Sequence, residues 1–430
     1  MIAGYAEISW ETVAPARSAA WPTPPVDAAP ARSDALLRAA WATAPRELLA
    51  ALEAEQVLLV VNDPCRSTRT AEALEALSRF AAEIGCRPRV RALVATGTHR
   101  FSAVERRAFE ASTFPGEGLS IEEIAWHDAA DTGALASLGE ASINGRVAAA
   151  RALIAVGSVE PHYFAGATGA HKTLTIGCLS PRDIEVNHRG ALDPASDVLR
   201  LDGNPVHEGI VHLLASLREG RHVVAMNQVL SGAEVVAARV GDPIGTLHAL
   251  LPDARRVYAS SLDRVADVLH LRVPSPLGRS FYQADKALKN NHLAVADGGG
   301  ILLEAECPDG VGQDAFVRLL RAARTYAEAC QQVERDGYRL GDHKAVKLRH
   351  LTDPAARGVH IALISRNIPA DVCRVLGVHP VDSVEEGLAW LAPRVRRPLA
   401  RGVRVEDAGM ACVTARPTPE LRGRSLESPR

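Results

Sequence analysis

Short continuous apolar runs alternate along this chain with longer stretches in which apolar side chains recur every three or four positions. The run Gln56 to Val61 ends at the polar pair Asn62-Asp63, which predicts a buried strand feeding a loop. Thr70 to Ile84 places Leu74, Leu77, Phe80 and Ala81 at helical spacing. Val90 to Val94 predicts the next strand, which empties into Gly97-Thr98-His99-Arg100. Ser102 and Glu105 have the spacing of a capping box for the following helix. Strand–loop–helix units recur at Ala152 to Val156 and at His222 to Met226. Such alternation predicts an α/β fold built on a helix-covered, mainly parallel sheet. The polar signatures fall at the carboxyl ends of the strands, where open α/β sheets bind ligands.

A chain of 430 residues is too long for one ordinary core, and a second unit is predicted from residue 262. Val268 to Val273 reads as a strand, followed by a helical stretch containing Tyr282, Lys286 and Leu288. Asp297 to Gly300 reads as a turn before the strand Ile301 to Glu306. Phe316 to Val333 reads as one helix, Ile361 to Ile364 as a strand and Val384 to Leu391 as a helix. A strand at Ala6 to Trp10, an Ala- and Pro-rich connector over 13–33 and a helix through Leu36, Leu37, Ala40 and Trp41 open the chain. Val403 to Thr414 is expected to return to the first domain, and the tail 416–430 to be disordered. The expected division is 1–261 with 395–430 against 262–394, each a helix-covered mainly parallel sheet, with the active site in the cleft between them.

Charge is balanced, 49 Lys plus Arg against 51 Asp plus Glu, without long basic tracts, so neither nucleic acid nor anionic membrane is an expected partner. The seven cysteines are widely spaced without a C-x-x-C, which argues against a disulfide framework and a cysteine zinc site. No secretion signal or membrane-length apolar run is read, and a soluble cytoplasmic protein is expected.

Chemistry concentrates in four segments. Glu160 to Thr173 carries His162 and, ten residues on, Lys172 around a turn containing Gly166 and Gly169; Asn187-His188 follows. A P-loop needs glycine directly before its lysine, and His171 stands there, so nucleotide triphosphate hydrolysis is disfavoured. The glycines suggest close backbone approach to something bulky. Lys172 suits a phosphate contact or nucleophilic attack, or is simply a surface lysine. His99, His162 and His188 are candidate proton carriers or ligands of a borderline metal, and a three-histidine zinc hydrolase is one reading of them. Arg66 follows Asp63 on a post-strand loop, where a guanidinium suits carboxylate or phosphate and Asp63 could orient it. Ser67 and Thr68 bond phosphate or cap the next helix. Tyr282, Gln283 and Lys286 are spaced i, i+1 and i+4, so Tyr282 and Lys286 share a face if helical.

These segments together resemble the lactate racemase family, whose members use a nickel-pincer nucleotide. The resemblance implies that Lys172, in a motif E-P-H-x-F-A-G-x-x-G-x-x-K, carries that cofactor covalently, and that His188 is the nickel ligand from the protein. It implies acid/base roles for His99 and His162 on either side of a 2-hydroxy acid. Arg66, Tyr282, Gln283 and Lys286 would hold the substrate, and Asp63, Ser67, Thr68, Gly97, Thr98, Gly166 and Gly169 would surround the cofactor. The implied reaction is racemisation or epimerisation by proton-coupled hydride transfer through a 2-keto acid, with the cofactor-making enzymes as transient partners. Lactate racemases tend to carry a tryptophan in the second domain, and none stands around Gly341-Asp342-His343-Lys344, so a substrate range not restricted to lactate is expected. A non-catalytic cofactor-binding protein is the alternative outside enzymes.

Overall fold

The computed structural model describes residues 8–15, 29–43, 46–54, 56–114, 119–396 and 398–415. Two compact units are present, Ala16–Val257 and Met1–Pro15 with Tyr258–Arg430. Their principal sheets use twelve strands: β1 (Ser9–Val13), β2 (Val57–Asn62), β3 (Arg89–Ala95), β4 (Ser120–Trp126), β5 (Ala152–Ser158), β6 (His222–Ser231), β7 (Glu234–Gly241), β8 (Ala266–Arg272), β9 (Val295–Glu304), β10 (His360–Ile364), β11 (His379–Val381) and β12 (Arg401–Val405).

In the first unit the sheet runs β7-β6-β5-β2-β3-β4. All pairs are parallel except β6 with β7. Every residue of β5 is buried, as is β2 up to Asn62, which is why both read as unbroken apolar runs. Leu59, Val61, Ile154 and Val156 pack with Leu37, Trp41, Leu48, Leu74 and Leu77 in one core. Trp41 Nε1 donates to Ala73 O at 3.0 Å, so the large ring is buried without an orphaned donor. Strand order reverses between β2 and β5. Open α/β sheets bind ligands beyond the carboxyl ends of such a pair.

The second unit holds an all-parallel sheet, β1-β12-β8-β9-β10-β11. β1 pairs with β12 from Ser9↔Arg401 to Val13↔Val405, and Ala259–Leu262 pairs with Cys412–Ala415. Residues 8–15 and 398–415 therefore belong here and not to the first domain. Local periodicity carries no signal for a pairing between chain segments so far apart. The expected turn at Asp297–Gly300 lies inside β9, where the register with β8 jumps from Ala266↔Val295 to Val268↔Gly300. A Cβ on Gly300 would meet Leu391 at 3.0 Å, and one on Gly299 would meet Ala296 O at 2.8 Å, so these glycines serve close packing. The helix expected over Phe316–Val333 is two, Asp314–Ala322 and Tyr326–Asp336, because Thr325 and Glu328 form a capping box that starts the second. The capping box at Ser102 and Glu105 is present as expected. Most of the connector over 13–33 and the tail 416–430 lie outside the described residues. No helix among the described residues is long and apolar enough to cross a membrane.

Gly157, near the end of β5, sets how closely the Lys172 helix approaches: a Cβ there would lie 2.4 Å from Ala170 N. Gly157→Ala is expected to destabilise the protein by about 1–3 kcal/mol. Thermal unfolding should show the midpoint falling; an unchanged midpoint would mean that the helix moves aside without cost.

Candidate active site

Beyond β5 the chain makes a two-residue strand, Pro161–His162, paired antiparallel with Gly166–Ala167, and then enters the short helix Ala170–Leu174. This compact return places Phe164 among three functional side chains. Its ring centroid is 4.4 Å from that of His162 and 4.8 Å from that of His188, and Lys172 Nζ is 5.6 Å from it. Lys172 Nζ lies 3.2 Å from His162 Nε2, and His162 Nδ1 accepts from Ala165 N–H at 3.3 Å. An imidazole base thus stands beside the amine, the arrangement that activates a lysine nucleophile.

His188 projects from the helix Pro181–Arg189, which Pro181 starts and Ser180 caps. Its Nδ1–H donates to Asn187 Oδ1 at 3.1 Å, while Asn187 Nδ2 donates to Val206 O at 3.0 Å. That tautomer leaves the lone pair on Nε2, with the other ring nitrogen bonded to an oxygen as in metal-ligating histidines. Burial, helped by the Lys172 charge, pushes the imidazole down to about 3, so His188 is neutral.

A second group forms on the loops after β2 and β3. Asp63, buried, accepts from His99 Nδ1 at 2.8 Å through Oδ2 and from Cys65 N–H at 2.8 Å through Oδ1. Bonds to Asp63, then to Cys65, raise the His99 imidazole to about 9 against burial and Arg66. Asp63 therefore orients His99, not Arg66. Among the described residues no ion pair joins Asp63 to the half-buried Arg66, because His99 and the Cys65 amide take both carboxylate oxygens. Thr68 Oγ1 lies 2.8 Å from Ser158 Oγ and accepts from Asn62 Nδ2 at 2.8 Å. Thr173 Oγ1 donates to Asn62 Oδ1 at 2.6 Å. These bonds tie the β2 loop to the end of β5 and to the Lys172 helix. Thr68 is thus engaged in the scaffold, while Ser67 and Thr98 are exposed.

The glycines have internal reasons. Gly166, at φ +74°, has no room for a Cβ, which would lie 2.2 Å from Arg200 O. Gly169 faces His171 and the Asn227 side chain, whose Oδ1 accepts from Ala170 N–H at 2.8 Å. The close approach inferred from these glycines is to the chain itself. Among the described residues His99, His162 and His188 do not converge as the alternative three-histidine zinc reading requires. The group of three potential ligands that does converge among the described residues is Asp63, Cys65 and His99.

Residues 27–198, which contain both groups, match the lactate racemase N-terminal domain. The first unit is therefore similar to that domain over 27–198. Lactate racemase of Thermoanaerobacterium thermosaccharolyticum is 26% identical over 244 residues, 55% of this chain and 56% of that protein. Lactate racemase of Lactiplantibacillus plantarum is 28% identical over 237 residues, 53% of this chain and 54% of that protein. The chain thus matches little more than half the length of these curated relatives. The fold extends further. The lactate racemase apoprotein structure from T. thermosaccharolyticum superimposes with a TM-score of 0.77 at 21% identity, covering 90% of this chain and 93% of that one. A Thermotoga maritima crystal structure does so with 0.68 at 16% identity, covering 89% and 98%.

The other site residues that the lactate racemase resemblance implies lie in the second unit, on the helix Phe281–Asn291. Tyr282, Gln283 and Lys286 are the half-buried positions of a helix otherwise buried, and Tyr282 and Lys286, one turn apart, share a face. Beneath it Asp285 is wholly buried, pairing with Lys289 Nζ at 2.7 Å and Lys344 Nζ at 3.6 Å. Lys344 lies 4.1 Å from the Tyr282 ring centroid and donates to Tyr282 O at 2.5 Å. Burial lowers Lys344 to about 8. Phe164, Asn187, Cys65 and Lys344 were not singled out by sequence; only Phe164 and Asn187, inside recognisable motifs, gave a usable signal.

His99 is held as imidazolium below about pH 9. Its folded-state value is raised, so its contribution to stability is full below the ordinary value of about 6.5 and lost as pH rises through about 9. Asp63→Asn should bring the His99 titration, followed by NMR of the ring protons, down toward about 6.5. A His99 titration unmoved by that substitution would show that the carboxylate is not its cause.

Proposed function

We propose that the chain is an isomerase, a racemase or epimerase of a 2-hydroxy acid, working with a nickel-pincer nucleotide attached to Lys172. The observation that carries this reading is the gathering of His162, Lys172 and His188 around Phe164. It occurs in a domain whose curated relatives are lactate racemases. The residues fit the group. His188 offers a neutral imidazole nitrogen, a donor suited to nickel, and Lys172 offers an amine beside a base. When bound, the nucleotide supplies a hydride acceptor for the substrate C2–H.

The remaining chemistry is the protein's own. Asp63 holds Nδ1 of His99 and stabilises its imidazolium form, so His99 exchanges protons with the substrate hydroxyl through Nε2. His162 does the same for the opposite enantiomer. Arg66 takes the substrate carboxylate in its planar fork, with Tyr282, Gln283 and Lys286 as further substrate residues. Holding the carboxylate keeps the planar keto acid in place between half-reactions. Ser67, Thr98 and the Gly97 turn are assigned to the cofactor side. The enzymes that make the nucleotide would be transient partners. A substrate range broader than lactate is proposed from the absence of tryptophan around Gly341–Lys344, where Lys344 packs on Tyr282 instead.

Protein produced together with the cofactor-making enzymes should yield a Lys172 peptide bearing the nucleotide mass. Active, nickel-containing protein with Lys172 unmodified would rule out the attachment. His188→Ala is expected to lose nickel and turnover together; nickel kept at wild-type stoichiometry would exclude His188 as the ligand. Arg66→Lys keeps the charge but not the fork, and kcat/KM should fall roughly 10- to 100-fold. A panel of lactate, malate, 2-hydroxyglutarate, phenyllactate and gluconate tests the range, and lactate preferred by a wide margin would contradict it.

A further inference from the structure

We propose that Asp63, Cys65 and His99 form a second metal site, for a borderline divalent ion of the zinc type, distinct from the nickel position assigned to His188. The donor atoms of these three side chains all lie within 4.8 Å of one another. Asp63 Oδ2 is 2.8 Å from His99 Nδ1, and Cys65 N–H is fixed on Asp63 Oδ1 at 2.8 Å. The carboxylate and imidazole are therefore already neighbours, and the thiol hangs from the loop that the same carboxylate holds.

Thiolate, imidazole and carboxylate are the donor types of zinc sites, and three protein ligands with an open fourth position is the form of a site that keeps a water. Zinc bonds of about 2.0–2.3 Å in a tetrahedron put donors roughly 3.3–3.7 Å apart. Reaching those values requires the Asp63–His99 pair to open from 2.8 Å by about half an ångström and the exposed Cys65 thiol to come within the same range from inside 4.8 Å. Cys65 also offers the ion its way in, while buried Asp63 anchors it from below. The ion takes the place of the proton between Nδ1 and Oδ2, and the thiol releases its own proton to solvent. No redox change is involved.

The binding claim stands on these residues alone. One consequence rests on the proposed racemase reading: an ion held by His99 removes one of the two proton-transfer histidines, so this site would be inhibitory.

The test uses the cofactor-free chain titrated with cobalt(II) and then zinc(II). One cobalt per chain is expected, with a near-ultraviolet sulfur-to-metal charge-transfer band that zinc abolishes. Cys65→Ser should remove the band and weaken zinc binding at least about tenfold. His99→Gln should weaken it similarly, and the half-buried control Cys86→Ser should change neither. A band or zinc affinity unchanged in Cys65→Ser, or no zinc bound by the wild-type chain at micromolar concentration, would overturn the site. In the nickel-loaded enzyme, zinc should inhibit wild type at least about tenfold more strongly than Cys65→Ser. Absence of racemisation would fail the functional reading while leaving the cobalt and zinc result intact.

Discussion

Two neighbouring parallel strands, β2 and β5, are buried on both faces and lead on to strands lying on opposite sides of the pair. Side chains within such strands are mostly apolar, so polar chemistry gathers at and beyond their carboxyl ends. Asp63 follows β2, and His162, Phe164 and Lys172 follow β5. Asn62, Thr68, Ser158 and Thr173 join these segments by hydrogen bonds of 2.6–2.8 Å. The site is thus held by rigid strand ends and a short polar network, which suits groups that must keep their geometry through a reaction.

One residue type is set to two tasks by its surroundings. His188, buried beside Lys172 with its Nδ1–H on Asn187, is kept neutral and suits a metal. His99, bonded to a buried carboxylate, is kept protonated. The difference comes from burial beside the Lys172 charge in one case and a hydrogen-bonded carboxylate in the other. Replacing Asp63 therefore alters His99 without touching the His188 partner, Asn187.

Elements whose signal is local were legible in the sequence. The strand ends carrying Asp63, His99 and His162 follow from apolar runs, and the Ser102 box from its spacing. Partners across the chain were not. Asp63 and Arg66 stand close in sequence and suggest a pair, yet the loop turns Asp63 toward His99, 36 positions away. Gly166 reads as a ligand glycine although the Arg200 carbonyl occupies the space. The C-terminal strand at Arg401–Val405 pairs with Ser9–Val13, which no periodicity reveals. The helix break before Tyr326 was readable, since Thr325 and Glu328 carry the same box spacing as Ser102 and Glu105.

Racemisation in deuterium oxide separates the two ways of inverting C2. His99 and His162 exchange protons with the hydroxyl in this account, and the C2 hydrogen leaves and returns as hydride. Nickel-loaded protein turning over a single enantiomer of a 2-hydroxy acid should therefore give product with protium at C2, read by NMR or mass spectrometry. Deuterium appearing at C2 with each turnover would mean that a base removes that hydrogen as a proton, and would contradict the account.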